Sequence, residues 1–146
     1  MKLHQISVFL ENAPGRLYEV TKALGDAGIN LRALSLVDTA GFGVLRLLVS
    51  DIAQARRVVM QLHLPARVDE VVAVEIEDRP GSLARVLEPL YKAGVNVEYM
   101  YAFTGFSSDT AVMVFRFGDN DQAIQVMREH GVKILDAEAF GMIENL

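Results

Sequence analysis

The chain has 146 residues, 51% hydrophobic and 23% charged, with a net charge of −5 and no cysteine. That is material for one compact core or two small ones, and it excludes disulfides, thiol catalysis and cysteine-rich zinc sites. No stretch approaches roughly 18 apolar residues and no basic stripe runs along the chain, so neither a membrane nor a nucleic acid is an expected partner. The Arg56-Arg57 pair reads as a solvated helix face. Met1 to Gln5 lacks the apolar core of a secretory leader, which leaves a cytoplasmic location as the expectation.

In chain order, Ile6 to Leu10 is a short, mostly apolar run that predicts a buried strand. Pro14-Gly15 ends it, and Leu17, Val20, Ala23, Leu24 and Ala27 then recur at helical spacing. Gly28 stands where a helix C-terminus takes positive φ. Asn30 to Val37 and Val44 to Val49 predict two strands joined by a hairpin at Thr39-Ala40-Gly41. Asp51 is placed to cap a second helix carrying Ile52, Ala55, Val59 and Leu62, and a last strand follows Leu64-Pro65.

The pattern then repeats. Glu11-Asn12-Ala13-Pro14-Gly15-Arg16-Leu17 returns as Glu77-Asp78-Arg79-Pro80-Gly81-Ser82-Leu83, 66 residues later, and Ala27-Gly28-Ile29-Asn30 returns as Ala93-Gly94-Val95-Asn96. From Asp51 and Asp119 onward the offset is 68, the two extra residues falling near Ser107-Ser108. The second copy predicts elements at Val72 to Ile76, Leu83 to Ala93, Val95 to Phe103, Thr110 to Phe117 and Asp119 to His130, with a terminal strand near Ala137 to Met142. The fold class is α+β: two tandem ferredoxin-like βαββαβ sandwiches, residues 1–70 and 71–146, each an antiparallel sheet with helices on one face. At the junction, Arg67 to Glu77 must form one long or bent strand or exchange edge strands.

The helix-free faces are too apolar for water. Val44 and Leu48 flank Arg46, and Val112 and Val114 precede Arg116 on that face. Leaving them wet costs several kcal/mol per module at roughly 25 cal/mol per Å², which points to contact with the other copy or a second chain, and to a homodimer.

The two Pro-Gly turns are the candidate binding elements. Glycine lets a ligand approach the backbone, the helix start offers free amides to a carboxylate, and Asn12 or Asp78 offers an oxygen to an ammonium group. A Pro-Gly turn also serves simply to pass from strand to helix, so the residues alone leave both readings open.

The duplicated Pro-Gly motif followed by Ala-Gly-Ile-Asn or Ala-Gly-Val-Asn resembles the signature of ACT domains over nearly the whole chain. The resemblance implies a regulatory protein that binds an amino acid or other small effector where modules pair side by side, and that acts on a metabolic enzyme or regulator. It implies ligand contacts from Asn12, Ala13, Pro14, Gly15, Arg16, Leu17 and Asn30, and from Asp78, Arg79, Pro80, Gly81, Ser82, Leu83 and Asn96. Each turn then meets the asparagine of an opposite module; with pairing inside one chain, Asn12 to Leu17 faces Asn96, and Asp78 to Leu83 faces Asn30. With Asn12 against Asp78 and Arg16 against Ser82 the two sites need not be equal in affinity, and apolar Leu10 and Ile76 point away from a polar effector such as serine. Tyr99, Tyr101, Phe103 and Phe106 either line an aromatic pocket or pack in the core.

No enzyme is expected. His4, His63 and His130 have no metal-type spacing, Ser107-Ser108-Asp109 lacks a neighbouring histidine, and Glu75, Glu77 and Asp78 read equally as solvated strand-end carboxylates. No catalytic residue, metal or cofactor is assigned. The alternative is an interaction module of the same fold that binds no ligand.

Overall fold

The computed structural model describes residues 1–104 and 107–145. In chain order the elements are β1 (Leu3–Glu11), α1 (Arg16–Asp26), β2 (Leu31–Thr39), β3 (Phe42–Val49), α2 (Ile52–Gln61), β4 (Ala66–Glu77), α3 (Ser82–Lys92), β5 (Val97–Thr104), β6 (Thr110–Phe117), α4 (Asn120–Glu129) and β7 (Lys133–Leu135). The predicted alternation is therefore present in both copies. The junction takes the long-strand form: β4 runs unbroken for 12 residues and serves as the last strand of one copy and the first of the next.

Two compact units result. One contains His4–Asp69 and the C-terminal segment from Ala137; the other contains Glu70–Asp136 and Met1–Leu3. The units follow the two sequence copies except at the chain ends, which are exchanged.

In the first unit β3 lies between β2 and β1, antiparallel to both, with Ile6 opposite Leu47 and Leu36 opposite Leu45. Alternate residues of β1 and β3 point to the helices, so Ile6, Val8, Leu10, Leu45 and Leu47 pack with Val20, Leu24, Ala55 and Val59 into one core. The α2 helix begins where Asp51 accepts a hydrogen bond from the Gln54 amide at 3.1 Å, a cap worth about 1 kcal/mol. On the opposite sheet face, Gln5 and Ser7 are buried; Gln5 donates to Ser7 at 3.3 Å and Ser7 to Asp69 at 3.4 Å.

The second unit repeats this plan. β6 lies between β4 and β5, and β7 pairs with β4 through Ala73–Leu135 and Glu75–Lys133. Val72, Val74, Phe115 and Phe117 face Val86, Leu90, Ala123 and Met127. Asp119 caps α4 through the Gln122 amide at 3.0 Å.

One expectation needs correction. The terminal strand is not at Ala137 to Met142. Gly131 (φ 73°) ends α4 at once, and the Val132 amide bonds Met127 O at 3.0 Å, so the chain enters β7 at Lys133. Residues Glu138–Phe140 form a single 3-10 turn closed by Gly141 (φ 63°). Beyond it Ile143 donates to Ser50 O at 2.7 Å, and Glu144 accepts from the His4 amide and lies 2.8 Å from its Nδ1. On the helix-free faces, Leu48, Val112 and Val114 are completely buried.

Candidate functional site

Each Pro-Gly turn leaves helix amides unused. Gly15 (φ 90°) and Gly81 (φ 85°) are the N-caps of α1 and α3, both left-handed, and neither cap has a side-chain bond. In the first turn Arg16 N–H donates to Ala13 O and Glu19 N–H to Gly15 O, so the Leu17 and Tyr18 amides have no partner among the described residues. In the second, Ser82 N–H donates to Arg79 O and Arg85 N–H to Gly81 O, leaving Leu83 and Ala84 in the same state. These are the orphan donors that make a helix start receptive to a carboxylate. Backbone bonds from Asn12 to Gly41 (3.0 Å) and from Asp78 to Asp109 (2.8 Å) tie each turn to the adjacent hairpin.

The two turns differ as their sequences do. Asn12 to Leu17 is exposed throughout, whereas Ser82 is 6% exposed and accepts a hydrogen bond from Arg85 at 3.1 Å. Each turn carries one arginine held by the equivalent strand-end glutamate: Arg16 lies 3.6 Å from Glu11, and Arg79 pairs with Glu77. The Asn12 and Asp78 side chains are exposed and free of partners among the described residues, so they are open to a ligand's ammonium group.

Asn30 lies at the other end of its unit. Its backbone N–H donates to Ser50 Oγ and its carbonyl accepts from the Ser50 amide, both at 2.8 Å, while its side-chain amide is unbonded among the described residues. Leu31 pairs with Val49, and Thr39 pairs with Phe42 beside Glu11. The ends of β2 are thus eight residues apart, about 26 Å at ~3.3 Å per residue. A turn and an asparagine of one module cannot hold the same small molecule. The second unit has the same layout, with Val97 opposite Phe117 and Glu77 opposite Thr110. There Asn96 borders a hollow of about 530 Å³ with Leu87, Leu90 and Tyr91, lining residues that sequence spacing does not single out.

The β5 aromatics do not line that hollow. Tyr99, Tyr101 and Phe103 are half-buried opposite Arg116, Val114 and Val112, on the helix-free face; Phe106 lies outside the described residues. Several of the groups considered for catalysis are engaged in local bonds. Ser107 donates to Asp109 at 2.9 Å, Glu75 accepts from Lys133 at 3.1 Å, and His130 Nδ1 sits 2.9 Å from Val126 O. Among the described residues no three histidine, aspartate or glutamate side chains gather as metal ligands, and no helix is long and apolar enough to cross a membrane.

Duplicated βαββαβ units, each with a left-handed glycine opening its first helix, match the family described as an ACT domain pair over residues 1–143. The chain belongs to that family. The ACT pair is similar to protein BT0572 from Bacteroides thetaiotaomicron, with 38% identity over 98% of both chains and a TM-score of 0.91. It also resembles the regulatory subunit of aspartate kinase from Thermus thermophilus in its ligand-free form (14% identity, 86% of this chain and 90% of that one, TM-score 0.62). A third likeness is to the aspartate kinase regulatory subunit of Thermus flavus (18% identity, 86% and 88% covered, TM-score 0.62). The last two similarities are of fold alone. No curated protein matches.

Proposed function

We propose that this ACT domain pair is a cytoplasmic regulatory protein that binds an amino acid between modules and passes the signal to a metabolic enzyme. The observation that carries this reading is the separation within each module. Free helix amides beside Asn12 or Asp78 lie at one end, and an unbonded asparagine lies about 26 Å away at the other. Each half lacks what the other has, and antiparallel pairing of two modules brings them together.

The pairing is between two chains. Among the described residues of its own unit β2 pairs only with β3, and β5 only with β6, so both offer an open edge. Of the ten exposed large hydrophobic residues among the described ones, six lie at the start of α1, on β2 and at the start of β3: Leu17, Tyr18, Leu34, Leu36, Val37 and Phe42. Such a patch on an edge strand is an association surface. A two-fold dimer that joins β2 of one chain to β5 of the other uses both edges at once and closes. The Asn12–Leu17 turn then meets Asn96 of the partner subunit, and the Asp78–Leu83 turn meets Asn30 of the partner subunit.

The ligand's carboxylate takes the helix amides and its ammonium group takes Asn12 or Asp78, while apolar Leu10 and Ile76 near the strand ends offer no polar contact to its side chain. That composition favours an apolar amino acid. Calorimetric titration with each of the twenty amino acids tests the proposal. Binding of at least one, lost in Asn30→Ala/Asn96→Ala with the fold intact, is expected. Absence of heat for all twenty at about 10 mM, weaker than any useful sensing affinity, leaves the interaction-module alternative.

A further inference from the structure

The two copies of the module are internal controls for each other, and they differ beside the second helix. In the second unit Ile124 of α4 is buried in the core, with Ile134 of β7 packed against the same cluster. The equivalent residues of the first unit, 68 positions earlier, are Arg56 and Ala66. Local bonding confirms the equivalence, since Leu64 N–H bonds Val59 O as Val132 N–H bonds Met127 O. Where the second unit closes the space with two isoleucines, the first has a hollow of about 440 Å³. Ile6, Leu64 and Val68 wall it, and Arg56, Met60 and Arg67 stand at its rim.

The charges at the rim are unequal. Arg67 is engaged by Asp69 at 2.9 Å and lies 5.9 Å above the Phe9 ring. Arg56 has no hydrogen bond or ion pair among the described residues, and no acidic side chain lines the hollow. A free guanidinium beside a cavity of this size with Ile6, Leu64 and Val68 in its wall selects a carboxylate on a compact hydrocarbon body. The lack of a lining carboxylate removes any counter-charge for an ammonium group.

We infer that the hollow between α2 and β4 binds a small apolar monocarboxylic acid without an amine, at a site separate from the turns and asparagines. Arg56 takes the carboxylate, and Ile6, Leu64 and Val68 take the hydrocarbon. The probes are 3-phenylpropionate and 4-methylpentanoate, titrated into the full chain by calorimetry, with 3-phenylpropionamide as the neutral control.

At least one acid should bind with one site per chain. The amide should bind at least about tenfold more weakly, as loss of a charge-assisted hydrogen bond requires. Arg56→Ile installs the second copy's residue, so it should keep the fold while weakening the acid by a similar factor; Arg56→Lys should weaken it less. Methyl NMR shifts should cluster at Met60, Leu64 and Val68. No binding of either acid, equal binding of acid and amide, unchanged binding by Arg56→Ile, or shifts clustered elsewhere would each overturn the inference. Failure of amino acid binding at the turns leaves all these outcomes unaffected.

Discussion

Replacing Gly15 by alanine isolates the backbone contribution of the candidate site. Gly15 sits at φ 90°, and a Cβ built there meets no atom within 4 Å, so the substitution is free of steric collision. A left-handed conformation costs an L-residue about 1–2 kcal/mol. The smaller unfolded-state entropy of alanine offsets about 0.4–1 kcal/mol of that, leaving a net loss of about 1 kcal/mol. With a urea m-value of about 2 kcal/mol per M, the unfolding midpoint falls by roughly 0.5 M. Gly15→Asn should lose less, because asparagine tolerates the left-handed region. Gly81→Ala should lose slightly more than Gly15→Ala, because Arg85 Nη1 lies 3.3 Å from the new Cβ and must shift by a few tenths of an ångström beside Ser82. Urea denaturation of the three variants is the assay. An unchanged midpoint for Gly15→Ala, or an asparagine variant no better than alanine, refutes the claim that the turn depends on a left-handed residue.

Three further outcomes are expected. His63 occupies the left-handed position after α2 (φ 57°) that Gly131 holds after α4, so His63→Gly should stabilise the protein by about 0.5–1 kcal/mol, read as a rise in melting temperature of a few degrees. Phe140 is 4% exposed and belongs to the unit of residues 4–69, so Phe140→Ala should cost about 3 kcal/mol, the low end for phenylalanine because a terminal segment can shift. Hydrogen exchange should show lost protection in residues 4–69, and loss confined to 70–136 would contradict that assignment. A hydrogen bond from Lys2 to Asp121 and the nearby Glu70 charge raise the Lys2 pKa above its ordinary 10.5. The stabilisation is present below that value and lost as pH rises through the raised one. Lys2→Met should therefore lower the melting temperature equally at pH 7 and 9, and the difference should shrink only in stronger alkali.

Local signals carried most of the fold. The apolar periods, the Asp51 and Asp119 caps and the left-handed glycines at 28 and 94 depend on neighbours in sequence, and the elements they predict are present. Duplication helped, because a motif weak in one copy is firm when its spacing recurs. What depends on distant residues was less accessible. β7 has only three residues and follows α4 directly, too short for a periodic signal, while the apolar Phe140 and Met142 resemble a strand but are buried in a 3-10 turn and its flank. The burial of Val112 and Val114 is likewise a tertiary fact. For the site, topology alone separated each turn from its own asparagine. Tyr91 beside Asn96, Arg85 on Ser82 and the hollow at Arg56 emerged only with the packing.

Complementation between chains tests most directly whether a binding site is shared. All chains carry Asn30→Ala, which removes the site completed by that residue. One chain adds Asn96→Ala and the other adds Gly15→Ala, and the two are co-refolded and titrated with the amino acid that binds the native protein. The account predicts no binding by either parent at the first turn, and in the mixed dimer one restored site, built from the intact turn of one chain and Asn96 of the other. Binding by the chain that lacks both asparagines, or no restored site in a mixed dimer shown to form, would contradict it.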